Sequence, residues 1–249
     1  MIFYVGLHHP WDSIHFSHTF ISVNSVRDRK SDFPANSFIL DSGAFTEIFT
    51  HGRYRHEPEQ YAEQVTRWSR NDGFQMAVTQ DYMCEPFILN KTGMTIRQHQ
   101  EMTIERFERI SKATPANIMP VLQGYDMQDY LNHLEMYQER GLLNVGMRLG
   151  VGSVCKRNSD VSKVEDLILG IKECARGLKL HGFGLKTTAL KSQWVWDSLY
   201  SADSMAWSFA ARKEGRNSNA WTEAKRFEEQ IRDQDRSRKS LQMTFFGLS

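Results

Sequence analysis

The sequence predicts an α/β protein, a (β/α)8 TIM barrel, and three observations carry that prediction. The first is a set of eight short apolar runs, among them Phe38-Ile39-Leu40, Ala77-Val78 and Met119-Pro120-Val121-Leu122. Continuous apolar runs of this length read as strands buried on both faces, as in a parallel sheet. The second is that most of these runs end in a polar residue: Asp41-Ser42-Gly43, Gln80-Asp81, Gln123-Gly124 and Asp203-Ser204. A (β/α)8 barrel assembles its active site from groups at the carboxyl ends of its strands. The third is length, because 249 residues match one such barrel with little left for insertions. Residues 1–249 therefore read as one domain, with a C-terminal helix and tail.

In chain order, strands are expected over residues 2–7, 19–24, 37–40, 75–79, 118–122, 144–149, 180–185 and 203–207. Amphipathic helical segments separate them. Residues 58–70 place Tyr61, Val65 and Trp68 on one face. Residues 95–111 open with a Thr95-x-x-Gln98 capping box and carry Met102, Ile104, Phe107 and Ile110. Residues 126–140 align Tyr130, Leu131, Leu134 and Tyr137, and Gly141 then stops the helix. Residues 162–176 repeat the pattern, with Ser162-x-x-Glu165 at the start and Gly177 at the end. The connection between the first two strands opens with His8-His9-Pro10-Trp11-Asp12 and is too short for a full helix, so the first βα unit is expected to be irregular. A long charged helix over 220–238 precedes an apolar tail, 243–248, expected to dock on the barrel.

Composition is that of a soluble domain, 40% hydrophobic and 24% charged. No run approaches the roughly 18 apolar residues of a membrane span. The opening Met1-Ile2-Phe3-Tyr4-Val5-Gly6 lacks a basic n-region and reads as a strand, which predicts a cytoplasmic protein. Cys84, Cys155 and Cys174 are widely spaced and odd in number, so neither a disulfide framework nor a zinc site is expected. A net charge of +1 gives no bulk signature of a nucleic-acid binder. Local basic groups remain, at Lys156-Arg157 and at Arg212-Lys213 with Arg216; the default reading of such groups is solvated surface.

Four strand-end groups are the candidates for chemistry. Asp41 reads either as a turn cap before Ser42-Gly43 or as a carboxylate at the barrel mouth, with Gly43 allowing close backbone approach to a ligand. Asp81 and Gln123 read either as helix caps or as an acceptor and a primary amide suited to the edge of a purine. Asp203 lies amid small and apolar neighbours, so it is either desolvated for chemistry or tied to a structural partner. Four coincident strand-end groups favour chemistry over four unrelated caps.

These residues resemble the tRNA-guanine transglycosylases, most closely the DNA-acting, DpdA-type branch. Asp41-Ser42-Gly43-Ala44-Phe45 resembles the D-S-G-G-F signature, and Asp81 with Val121-Leu122-Gln123-Gly124 resembles the base-recognition segments. His99-Gln100-x-x-Thr103 is similar to the helix after the first of these, and Leu149-Gly150-Val151-Gly152-Ser153 to the glycine turn against the base. His181-Gly182-Phe183-Gly184-Leu185-Lys186 is similar to a seventh-strand segment of the DNA-acting branch, and Asp203 falls at the nucleophile. Arg212 with Arg216-Asn217 follows at the distance of an Arg/Asn-rich loop. The zinc signature of the tRNA enzymes has no counterpart after Asp203, which points to DNA rather than tRNA.

The resemblance implies replacement of guanine in DNA by a free 7-deazaguanine base such as preQ0, with no redox cofactor and no metal. Asp203 would attack C1′ and Asp41 would act as acid/base. Asp81 and Gln123 would hold the base edge, with Ser42, Gly43, Gly124, Gly150, Gly152 and Lys186 completing the substrate site and backbone amides near Gly150 and Gly152 closing it. Phe45, Tyr82 and Tyr125 are candidates to stack on a flipped base. Phosphates would meet Lys156, Arg157, Arg212, Lys213 and Arg216. Rival readings of the same residues are a glycoside or nucleoside hydrolase, a transglycosylase acting on tRNA, and a non-catalytic nucleic-acid binder.

Overall fold

A computed structural model describes residues 1–153 and 160–245, with side chains described to residue 234. Its strands are β1 (Ile2–Leu7), β2 (Thr19–Ser22), β3 (Phe38–Asp41), β4 (Phe74–Val78), β5 (Ile118–Met119), β6 (Val121–Leu122), β7 (Arg148–Val151), β8 (Lys179–Gly182) and β9 (Ser201–Ser204). All pairings are parallel, in the order β5-β4-β3-β2-β1-β9-β8-β7-β6. The two ends of that order, β5 and β6, are halves of one strand divided by Pro120, which has no N–H to give the ladder. Its carbonyl still accepts from the Gly150 N–H at 2.9 Å. The sheet is therefore wrapped into an eight-stranded barrel, as the sequence predicts.

The helices are α1 (Val23–Val26), α2 (Ala44–His51), α3 (Pro58–Trp68), α4 (Pro86–Thr92), α5 (Ile96–Ala113), α6 (Met127–Glu139), α7 (Val161–Cys174), α8 (Thr187–Leu190), α9 (Gln193–Ser198), α10 (Ala206–Lys213) and α11 (Trp221–Phe245). The Thr95–Gln98 capping box forms at the start of α5, and Asp126 with Asp129 makes a second at α6. Gly141 sits at φ 62°, the left-handed conformation that ends α6. The connection after β1 is a 3-10 turn, Pro10–His15, the irregular first unit that its length requires.

Several expectations shift. Residues 23–24 open α1 rather than ending the second strand, and β8 stops at Gly182, short of 185. Residues 144–147 form a turn through left-handed Gly146, so β7 starts at Arg148. Met205 is the N-cap of α10 and Ala206-Trp207 its first residues rather than a strand, and β9 starts earlier, at Ser201. A short apolar run does not distinguish the two states by periodicity. At α7 the N-cap is Asp160, which accepts from Ser162 Oγ at 2.8 Å, while Glu165 bonds Ser192 instead of closing a capping box. The apolar tail expected over 243–248 concerns side chains outside the described residues.

Two apolar layers follow the period-2 rule of strands. Val5, Ile21, Phe38, Leu40, Ala77, Leu122, Leu149, Val151, Leu180 and Ala202 face outward into the helix layer. Tyr4, Ile39, Val78, Met119 and Val121 form a separate interior cluster, joined by Ile2, Phe20, Met76 and Phe183. Tyrosines on the helices tie down strand ends: Tyr61 donates to Val78 O at 2.7 Å and Tyr130 to Gly152 O at 2.6 Å.

Candidate active site

Side-chain parity determines what the top of the barrel contains. Ile39 points inward, so Asp41 does too; Val121 leads in the same way to Gln123, Gly150 to Gly152, and Ser201 to Asp203. Together with Asp81, which follows β4, these residues border one cavity of about 400 Å³ at the carboxyl end of the sheet. That volume lies in the range of small-ligand sites. Phe20, Phe183, Met83, Met205 and Phe45 give the cavity apolar walls. Among its described lining residues there are four carboxyl groups, from Asp41, Asp81, Glu85 and Asp203, and no lysine, arginine or histidine.

Asp203 is buried on β9. Its Oδ1 takes hydrogen bonds from His181 Nε2 at 3.2 Å and from the Gly184 N–H at 3.2 Å. His181 Nδ1 meets Ser201 Oγ at 2.9 Å, two residues along the same strand face. Burial lowers the His181 pKa, against the pull of Asp203. A neutral imidazole has one N–H, so Nε2 donates to Asp203 and Nδ1 accepts from Ser201. Stacked Phe20 and edge-on Phe183, with ring centroids 5.7 and 4.7 Å away, hold that imidazole in place.

Across the cavity, Asp41 ends β3 and its Oδ2 accepts from the Gly43 N–H at 3.0 Å. Gly43 adopts φ 74°, and a Cβ there would run into the Asn24 amide, so the turn before α2 requires glycine. Burial, and then the charge of Asp81, push Asp41 up to about 7, the Gly43 hydrogen bond opposing them. Asp81 is raised to about 6, burial again dominating and the Gln123 hydrogen bond opposing it. A carboxyl poised near neutrality suits proton transfer in either direction.

Asp81 and Gln123 are in direct contact, with Gln123 Nε2 donating to Asp81 Oδ2. Ser153 Oγ donates to Gln123 Oε1 at 2.7 Å, and Ser42 Oγ reaches Asp81 Oδ1 at 3.5 Å. Ser153 is the one described non-glycine residue at positive φ, 57°. That uncommon conformation accompanies its bonds to Gln123 and from the Cys84 N–H at 3.2 Å. Gly152 leaves room for this network, since a Cβ there would overlap the Gln123 amide.

The His99-Gln100-x-x-Thr103 segment of α5 positions both loops. His99 Nδ1 bonds Met83 O at 2.7 Å, Thr103 Oγ1 accepts from the Tyr82 N–H at 2.9 Å, and Gln100 Nε2 donates to Gln123 O at 2.8 Å. The Gln123 N–H donates to His133 Nδ1 at 2.9 Å, and burial keeps that ring neutral, with a pKa of about 3.

Other expected site residues take different places. The Gly150 and Gly152 N–H groups are used in the barrel ladder, bonding Pro120 O and Leu122 O at 2.9 Å, so neither is a free donor for a ligand. Gly150 instead makes room for the Phe183 ring, and Gly124 packs on α6, where a Cβ would stand 2.7 Å from Asp129 Cβ. Lys186 is exposed at the N-cap of α8, outside the cavity lining. Arg212 and Lys213 are exposed in the last turn of α10, while Arg216 pairs with Glu214 at 2.6 Å and with Glu223. Lys156 and Arg157 lie outside the described residues. Phe45 lines the mouth at 49% exposure, whereas Tyr82 is buried against Tyr54 and Tyr125 is exposed away from the lining. Glu85 and the supporting His181 and Ser153 were not singled out as site residues from sequence; His181 and Ser153 lay within segments that carry the family resemblance, whereas Glu85 had no such signal.

Among the described residues no group of three His, Cys, Asp or Glu side chains is placed to hold a metal ion, and no helix is long and apolar enough to cross a membrane. No curated protein sequence matches the chain. The family model for DpdA, DeoxyPurine in DNA protein A, matches residues 1–233. With a barrel of this kind and acidic groups gathered at its carboxyl end, the chain belongs to the DpdA family, a DNA 7-deazaguanine-modification family of the tRNA-guanine transglycosylase superfamily.

Proposed function

We propose that this protein replaces guanine in DNA with a free 7-deazaguanine base of the preQ0 type, through a covalent ester between Asp203 and the sugar. The observation that carries this reading is the opening of Asp41 and Asp203 onto one cavity that also holds the Asp81–Gln123 pair. Oδ1 of Asp203 receives both hydrogen bonds that the described residues give its carboxylate, which leaves Oδ2 for the sugar. Attack of Oδ2 on C1′ breaks the C1′–N9 bond, and the bonding pair leaves with guanine. Asp41, near its pKa, donates the proton that the departing base takes up at N7. The incoming base then gives its N9 proton to Asp41, N9 attacks C1′, and the ester bond returns its electron pair to Asp203.

Asp81 and Gln123 hold the Watson–Crick edge of each base in turn. A base inside duplex DNA must leave the stack to reach this cavity, and Phe45 at the mouth offers an apolar surface beside it. Phosphates stay outside the acidic cavity, near the exposed Arg212 and Lys213. The test is incubation of the protein with guanine-containing DNA and 7-cyano-7-deazaguanine, followed by nucleoside mass spectrometry, with tRNA in parallel. Incorporation into DNA supports the proposal. Guanine release that leaves abasic sites makes the protein a hydrolase, and modification of tRNA alone overturns the assignment of substrate.

A further inference from the structure

Glu85 borders the cavity and has no part in the chemistry above. It is only 4% exposed, and its Oε2 has no hydrogen-bond partner among the described residues. Structural duties that usually explain a buried glutamate are missing. Although it is the N-cap residue of α4, its side chain makes no capping bond, and no described residue forms an ion pair with it.

The neighbouring polar groups satisfy one another. Gln123 donates to Asp81 and accepts from Ser153, and Ser42 reaches Asp81. Among the described residues no basic side chain lines the cavity to supply the missing donor. A buried carboxylate oxygen left without a donor is costly to keep. The charge of Glu85 acts on Asp81, one of the base-edge pair, and both side chains border the cavity.

We propose that Glu85 accepts a hydrogen bond from an exocyclic N–H of the bound base and so selects which bases the cavity takes. This rests on the base-exchange reading of the cavity. A deazaguanine offers such a donor in two places, the 2-amino group on the ring edge and, where present, an aminomethyl group at the 7-position.

Calorimetric titration of the free bases into the protein tests this without needing turnover. The ligands are 7-cyano-7-deazaguanine, 7-aminomethyl-7-deazaguanine and 7-cyano-7-deazahypoxanthine, which lacks the 2-amino group. The proteins are wild type, Glu85→Gln and Glu85→Leu, each checked for unchanged circular dichroism and melting. A hydrogen bond to a charged group corresponds to a loss of ~10-fold or more in affinity when removed. If the 2-amino group is the donor, both guanine-type bases weaken by that factor while the hypoxanthine analogue does not. If the aminomethyl group is the donor, only the aminomethyl base weakens.

Unchanged affinity for all three bases in both folded variants overturns the role of Glu85 and leaves the base pocket standing. Equal weakening for all three also overturns it, by assigning Glu85 a structural role. Failure of the wild-type protein to bind any base removes the base-pocket reading, and this proposal with it.

Discussion

Replacing Gly152 by alanine perturbs the base-edge network without removing any of its hydrogen-bonding groups. Gly152 is outside the left-handed region, so alanine meets no backbone strain there. Its added Cβ would overlap the Gln123 amide, standing 2.6 Å from Cδ and 2.8 Å from Oε1. The backbone at residue 152 has little room to retreat. Its N–H is bonded to Leu122 O at 2.9 Å and its carbonyl to the Tyr130 hydroxyl at 2.6 Å. Gln123 must therefore swing away from Asp81 and Ser153. Overpacking of this kind costs about 1–3 kcal/mol, which for a chain of this length lowers Tm by roughly 2–12 °C. Loss of a charge-assisted hydrogen bond at the base edge weakens binding by about 2 kcal/mol, roughly 30-fold. Calorimetry with 7-cyano-7-deazaguanine reads the second effect and a thermal melt the first. Gly124→Ala is the control, because its Cβ would meet Asp129 Cβ at 2.7 Å and Tyr130 Cδ2 at 2.9 Å on the α6 side, outside the cavity lining. It should lower Tm comparably and leave base affinity intact. Wild-type affinity in Gly152→Ala, or equal loss of affinity in both variants, would show that the space at Gly152 does not hold Gln123 in place for the base.

Four further outcomes are expected. Asp41 is raised to about 7, so single-turnover guanine release should fall tenfold per pH unit above that value, and Asp41→Asn should cut the rate by ~10²–10⁴ and abolish this titration. The same shift bears on folding: stability contributed by protonated Asp41 is complete below the ordinary carboxylate pKa and is lost as pH rises through about 7, so melts of Asp41→Asn should lack that loss. Glu47 is fully buried; burial opposes its ionisation, but hydrogen bonds and charge from Arg55, with Arg27 beyond, hold it at about 2. Its contribution is present above the ordinary glutamate pKa and fades as pH falls toward 2, and Glu47→Gln should cost about 3 kcal/mol or less at pH 7, since Arg55 is half exposed and its charge is partly solvated. Elemental analysis should find no stoichiometric zinc and activity should survive chelator, because the cysteines lie on separate segments; one zinc per chain, lost together with folding, would contradict this.

Much of the barrel was legible because a strand buried on both faces leaves an unbroken apolar signature, and because Thr95 with Gln98 forms a local capping box that needs no tertiary context. Residues 144–147 and 205–207 misled for the same reason: a brief apolar run is compatible with strand, turn or helix until its neighbours pack on it. At the site, Asp41, Gln123 and Asp203 were readable because strand alternation fixes the side on which they emerge. Glu85 and Ser153 reach the cavity from segments after strands, where no period exists to mark them. Arg216 illustrates a different limit. Sequence spacing places it near other basic residues, but only the folded chain brings Glu223 against it. Gly150 and Gly152 were singled out for their backbone amides, yet the ladder uses both, and what they provide is space.

The proposed covalent ester on Asp203 can be trapped for intact-mass spectrometry by quenching the protein in acid during turnover on a short guanine-containing oligonucleotide. A covalent ester gives a species with the mass of protein plus an oligonucleotide that has lost one guanine, mapping by peptide digestion to Asp203 and absent in Asp203→Asn, which should also lose turnover. An adduct on another residue, or base exchange that persists in folded Asp203→Asn, would contradict it.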